Sequence, residues 1–323
     1  MDTVFIKGQN MKLSIVTTLY MSQDNIIEFY ERITKEAQKI TENYEIIFVD
    51  DGSPDNSLGI TISLSENDER IKIIELSRNF GHHKAMMTGL NHSQGDLVFL
   101  IDVDLEEEPE ILGSFYQKIQ NETNEIDVLY GVQKSRKGGW FEKISGQFFY
   151  SAFNYLTDLD MTKNQVTARL MTKTYVKALV LHKENEIFIG GLWHITGFRQ
   201  KSVIIEKHST SETTYSLTKK LVLLENAVTS FSNKPLKIIF HTGLLISLVA
   251  IVYIIYLSLM KFFLDIPVDG WTSIISSIWL LGGLIIFFIG VIGIYLSKIY
   301  TESKERPYTI IRKVYQSNKM DMK

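Results

Sequence analysis

Four short apolar runs rich in Ile and Val occupy the first third of the chain: LSIVTTL (Leu13 to Leu19), EIIFV (Glu45 to Val49), IKIIEL (Ile71 to Leu76) and LVFLI (Leu97 to Ile101). Runs of this length without strict alternation predict strands covered on both faces. Between the first two lies NIIEFYERITKEAQKI, in which Ile26, Tyr30, Ile33, Ala37 and Ile40 share one helical stripe. Strand alternating with helix predicts the α/β class, with a mainly parallel, Rossmann-like sheet. In that architecture ligands gather beyond the carboxyl ends of the strands, so the residues following each run carry the chemistry.

The pattern changes in the last third. Ile238 to Met260 and Ile274 to Leu296 are apolar runs without Asp, Glu, Lys or Arg. At ~1.5 Å per residue each reaches roughly 34 Å, enough to cross a hydrocarbon core of about 30 Å, so two transmembrane helices are predicted. Lys234 and Lys237 precede the first, and Lys298, Lys304, Arg306, Arg312 and Lys313 follow the second. That distribution predicts a multi-pass protein with its catalytic domain and both termini cytoplasmic. MDTVFIKGQN is too polar to read as a signal peptide. The predicted organisation is a tail over 1–11, a catalytic domain over 12–215, an interfacial amphipathic helix over 216–235, two spans over 236–300 and a basic cytoplasmic tail over 301–323.

A net charge of -3 argues against a nucleic-acid partner. The absence of cysteine excludes disulfides, thiolate metal sites and thiol nucleophiles, leaving oxygen and nitrogen ligands. Such groups cluster after the predicted strands: DDGSPDNS at 50–57, SRNFGHHKA at 77–85 and DVDLEEEPE at 102–110. Asp, Gly, Ser and Pro also make turns, and Glu107, Glu108 and Glu110 fit a solvated helix start ahead of Pro109. Asp102 and Asp104, however, are spaced to share a hard divalent cation, which would relieve their repulsion and leave positions for phosphate oxygens and water.

These segments, together with LYGVQKSRKGGWFEKI, RLMTK and GFRQ and the two spans, resemble the polyisoprenyl-phosphate glycosyltransferases of family 2, relatives of dolichol-phosphate mannose synthase and bacterial bactoprenol glucosyltransferases. The resemblance implies a GT-A fold, a nucleotide-diphosphate sugar donor (UDP-linked), Mg²⁺ or Mn²⁺, and inverting transfer to polyprenyl (undecaprenyl) phosphate at the bacterial cytoplasmic membrane; a homo-oligomer is also expected. It implies that Thr18, Tyr20, Asp50, Asp51, Asn79, Lys84 and Asp102 contact the nucleotide-sugar, and that Asp102, Asp104 and Glu106 meet the metal.

Five positions in three motifs depart from the family pattern. Thr18, Met21 and Ser22 stand where relatives read Pro, Asn and Glu; Glu106 replaces Gln; and Thr167 stands where relatives carry the acid assigned as base. A phosphomonoester has its second pKa near ~6 and is already anionic at neutral pH, so a phosphate acceptor needs no such base. The remaining demand is a positive field, for which Arg169, Arg136, Lys137, Arg199 and Lys201 are the candidates, each equally readable as part of a solvated basic face. Apolar stripes at Phe141, Ile144, Phe148, Ala152 and Tyr155 and at Leu217, Leu221, Leu224, Val228 and Phe231 suit either the headgroup layer or packing. His82 and His83 read as caps or packing groups as readily as ligands, and Trp193 as core or as a stacking platform. Transfer to a lipid-linked saccharide hydroxyl and a non-catalytic nucleotide-sugar-binding scaffold are the rival readings.

Overall fold

The computed structural model describes residues 11–122, 125–133, 154–157, 162, 164–206, 228–264 and 270–316. Contacts divide the chain into two units: one of Met1–Gln147, Asp160–Tyr215 and Arg306–Lys323, the other of Phe148–Leu159 and Ser216–Glu305.

In the first unit the strands β1 (Leu13–Leu19), β2 (Tyr44–Asp50), β3 (Ile71–Leu76), β4 (Leu97–Leu100), β5 (Val128–Gln133), β6 (Gln165–Thr172), β7 (Gln200–Ile205) and β8 (Ile311–Gln316) form one sheet in the order β7-β5-β6-β4-β1-β2-β3-β8. β1 to β4 are mutually parallel, β6 runs against β4 and β5, and β8 runs against β3. The helices α1 (Ile26–Ile40), α2 (Ser57–Asn67), α3 (His82–Asn91), α4 (Ile111–Asn121), α5 (Lys173–Leu179) and α6 (Ile189–Ile195) complete the unit.

β1 and β2 are buried along their whole length, as their unbroken apolar runs require. Ile15, Phe48, Ile73, Phe99 and Leu170 point into a core shared with Phe29 and Ile33 of α1 and Phe115 of α4. Phe29 meets Phe48 edge-on, and Phe99 meets Phe115 likewise, each pair at 6.3 Å between ring centroids. Each fully buried side chain of this size contributes about 1.5–3 kcal/mol. The stripe of α1 is turned slightly from the predicted one: Phe29 is buried, while Tyr30 and Ile40 are partly exposed. On the opposite face Gly89 lets α3 sit on the sheet, since a Cβ there would lie 2.5 Å from Val16 Cγ1.

The C-terminal segment corrects the reading of 301–323 as a tail only. Ile311–Gln316 is a strand of the eight-stranded sheet, and Tyr315 Oη donates to Glu75 at 2.8 Å while Arg312 pairs with it at 3.1 Å. Paired against β3, this strand covers an edge that would otherwise expose unpaired backbone groups.

In the second unit α7 (Lys234–Leu264) and α8 (Trp271–Ser303) contain the two predicted spans. Their 18-residue apolar windows have mean hydropathies of 2.0 and 2.5 and are not buried within the protein, as in helices that face lipid. Near their charged ends Lys234 Nζ donates to Tyr155 O at 2.6 Å, Tyr295 Oη to Ser232 O at 2.7 Å and Lys298 Nζ to Ser230 Oγ at 2.9 Å. Arg136, Lys137 and most of the two predicted interfacial stripes lie outside the described residues.

Candidate active site at the carboxyl edge

The strand order turns back at β1, with β2 on one side and β4 on the other. This is the switch point at which doubly wound sheets bind ligands. Three loops converge there, after β2, β3 and β4.

The loop after β4 alternates inward and outward. Ile101 and Val103 enter the core, which leaves Asp102 and Asp104 on the opposite side, Asp104 exposed. Leu105 takes a left-handed φ of 59°, a strained choice for Leu, and Asp104 Oδ1 accepts the Glu106 backbone N–H at 3.0 Å. Glu107 corrects the sequence reading. Instead of a solvated helix start it is buried, and its carboxylate accepts N–H from Thr167 at 3.1 Å and from Ala168 at 2.6 Å. It ties the aspartate loop to β6, and only the adjoining Pro109 and apolar run hint at this in the sequence.

Asp51 organises the other two loops. Its oxygens accept N–H from Phe80 at 2.7 Å and from Gly81 at 2.9 Å, so it holds the 77–81 loop. Burial still lifts its carboxyl above the usual range, against those amides. Gly52 has φ 67°, and a Cβ there would lie 2.6 Å from the Arg78–Asn79 backbone, so only glycine allows this approach. Asp50 is also buried and its pKa raised by burial; its Oδ1 has no hydrogen-bond partner among the described residues. Tyr20 and Asn79 are exposed, while Lys84 is partly buried on α3.

His82 links the strands. Its Nδ1 lies 3.0 Å from Thr18 Oγ1 and its Nε2 3.3 Å from Asp102 Oδ1. Burial opposes protonation, but the hydrogen bond and charge of Asp102, with Asp104 and Asp51, outweigh it and raise the imidazole above its ordinary range. His83 instead meets Ile187 O at 3.1 Å, and burial lowers its pKa. No sequence spacing signals the bridge from His82 to β1, because it is made across the sheet.

Arg169 is fully enclosed, and Trp193 is nearly so, as the core reading expects. The guanidinium Cζ lies 3.0 Å from the Trp193 ring centroid and 5.8 Å from that of Tyr130. Nε, Nη1 and Nη2 have no hydrogen-bond partner among the described residues. Burial pushes this guanidinium down to about 9. A desolvated cation–π contact is worth roughly 2 kcal/mol, less than the several kcal/mol that burying a cation costs. Thr167 shares the strand and face of Arg169, two residues away.

Arg199 and Lys201 do not join this site, a second correction. Both flank the start of β7, which runs parallel to β5 from the amino edge of the sheet. Arg199 Nη2 pairs with Glu125 at 3.2 Å, its backbone N–H donates to Asp127, and Lys201 pairs with Glu122. Distance from the strand ends, which one-dimensional reading cannot supply, removes them.

Among the described residues no three His, Asp or Glu side chains converge as a preformed cation cage. Asp102 and Asp104 still suit a hard ion that takes one or two carboxylates and fills its remaining positions with phosphate oxygens and water. Glu106 does not complete a triad with them.

The glycosyl transferase family 2 profile matches residues 14–180, which hold every one of these loops. The chain belongs to glycosyl transferase family 2. In this glycosyltransferase a second profile, the GtrB C-terminal hairpin, matches residues 234–299, the two long apolar helices. A protein named among putative glycosyltransferases of Mycobacterium tuberculosis is 49% identical over 308 residues, covering 95% of this chain and 90% of its own. The prophage bactoprenol glucosyl transferase homolog of Escherichia coli is 29% identical over 309 residues, covering 94% and 99%. Residues 1–349 of S. aureus TarS align over 68% of this chain and 65% of that one, with 17% identity and a TM-score of 0.45.

Proposed function

We propose that this glycosyltransferase moves a hexose from a nucleoside diphosphate, UDP, to polyprenyl phosphate at the cytoplasmic leaflet of the bacterial cytoplasmic membrane. The observation that carries the reading is the union in one chain of an acidic carboxyl edge at a sheet switch point and a hairpin long and apolar enough to reach a lipid acceptor. A relative from Shigella phage SfII, 28% identical over 311 residues, is named bactoprenol glucosyl transferase, which supports a lipid phosphate as acceptor.

In the reaction an acceptor phosphate oxygen forms a bond to the anomeric carbon, and the bond from that carbon to the donor's β-phosphate oxygen breaks. The electron pair leaves with the nucleoside diphosphate. The nucleophile is already an anion near neutral pH, so the hydroxyl of Thr167 in place of an acid costs the reaction little. Asp102 and Asp104 would hold Mg²⁺ or Mn²⁺, which when bound neutralises charge on the departing diphosphate. His82 orients Asp102 from Thr18, Glu107 fixes the loop against β6, and Asp51 shapes the loop from Ser77 to Gly81 beside Asn79 and Lys84. Tyr20, exposed at the end of β1, offers a face to the nucleobase. Arg136 and Lys137 would meet the lipid phosphate, and a homo-oligomer belongs to the same reading.

The test is turnover by the full-length protein in liposomes, with a panel of labelled sugar nucleotides and undecaprenyl phosphate. A chloroform-soluble, mild-acid-labile product supports the reading. A product formed only on a preformed lipid-linked saccharide, or donor binding without turnover, overturns it.

A further inference from the structure

Arg169 and Trp193 carry a bonding capacity that their surroundings do not fill. The guanidinium offers five N–H donors and the indole one. None of Arg169 Nε, Nη1 and Nη2 or Trp193 Nε1 has an acceptor among the described residues. The cation lies 3.0 Å from the indole centroid, so these donors form one cluster, with Arg169 0% and Trp193 6% exposed. Protein interiors satisfy nearly all buried donors, and a cluster holding donors only, with a full positive charge, is complementary to an oxyanion.

Neighbouring acceptors are engaged elsewhere. Glu107 receives the Thr167 and Ala168 amides, Tyr130 Oη shares a hydrogen with Thr162 Oγ1 at 2.9 Å, and Trp193 O accepts from Tyr175 Oη at 3.1 Å and from Gln200 Nε2 at 2.6 Å. The cluster also lies close to the chemistry. Arg169 pairs with Leu100 across β4 and β6, and Asp102 follows two residues later on the same face, about 7 Å further along at the rise of an extended chain.

We propose that Arg169 and the indole N–H of Trp193 form a receiving site for a phosphate oxygen of a substrate, beneath the carboxyl edge, with the guanidinium held on the indole ring until the phosphate arrives. The proposal deepens the glycosyltransferase reading and rests on it only for the identity of the phosphate, the donor's diphosphate or the acceptor's monoester. Arrival of the oxyanion separates ring and cation, so it changes the environment of the Trp193 indole.

The experiment compares the full-length wild type with Arg169→Met and Trp193→Phe in nanodiscs, titrated with UDP and with farnesyl phosphate and read by tryptophan fluorescence and melting temperature. Arg169→Met removes a buried charge that makes no hydrogen bond among the described residues, so it is expected to melt higher than wild type without ligand. It is also expected to bind at least one probe about tenfold more weakly. Trp193→Phe keeps a ring and loses the N–H, with an expected loss of about three- to tenfold for the same probe. Loss for UDP assigns the donor diphosphate, and loss for farnesyl phosphate assigns the acceptor. Wild-type affinity of folded Arg169→Met for both probes overturns the proposal, and if that variant does not fold, wild-type affinity in Trp193→Phe does so. If Arg169-dependent binding persists while no acceptor supports transfer, the site stands and the reaction assignment falls.

Discussion

The two edges of the same sheet treat charge in opposite ways. At the amino edge charges are matched: Glu45 accepts from Ser14 at 2.5 Å, Lys12 at 3.0 Å and the Gln94 amide at 2.8 Å, while Asp68 accepts from Arg70 and from Tyr30 Oη at 2.8 Å. At the carboxyl edge, among the described residues, Asp50 keeps an oxygen without a partner and the buried Arg169 guanidinium has no acceptor, while Asp102 and Asp104 share one loop. Native folds pair buried charges wherever stability alone decides, so the contrast in charge marks one edge as framework and the other as a surface awaiting ligands.

The contrast breaks most sharply at the aspartate loop. Asp104→Ala is expected to lower transfer by about 10³-fold or more, with folding intact, while Thr167→Ala stays within about threefold of wild type. Steady-state kinetics on both variants checks this, and an inactive, folded Thr167→Ala would show that its hydroxyl does chemistry. Glu107→Ala leaves two β6 amides without their acceptor, at about 1–3 kcal/mol each, so equilibrium denaturation should show a loss of roughly 2–6 kcal/mol alongside reduced activity.

Arg169 offers a pH test of intermediate size. A base whose folded pKa is depressed, here to about 9, withholds its stability contribution at neutral pH and regains it as pH rises through the folded value. The advantage in melting temperature expected of Arg169→Met should therefore narrow above pH ~9. At the amino edge the sign reverses. Asp68 is held below its ordinary value of 3.8 because its hydrogen bonds from Arg70 and Tyr30 outweigh burial. Its contribution is present above that value and lost as pH falls through the folded one, so Asp68→Asn should cost stability at pH 7 and converge on wild type in acid melts. The smallest effects belong to Arg199→Ala and Lys201→Ala: exposed pairs worth about 0–1 kcal/mol, with kcat/KM unchanged.

What could be read in one dimension follows from what is periodic. LSIVTTL and IKIIEL gave β1 and β3 to the residue, because burial on both faces leaves an unbroken apolar run, and the two spans were equally visible. Phe29 displaced Tyr30 on the buried side of α1 because the core, not an ideal stripe, sets the rotation. Acids after strand ends placed Asp50, Asp51, Asp102 and Asp104 at one edge. The bridge of His82, the anchoring by Glu107 and the exclusion of Arg199 and Lys201 depend on register between distant strands, which spacing along the chain does not encode.

Because β8 lies after both apolar helices in the chain yet completes the sheet beside β3, synthesis cannot deliver a finished catalytic domain before the hairpin has been made. The nascent domain waits with one border of β3 open, and its closure reports that the membrane segment has already left the ribosome.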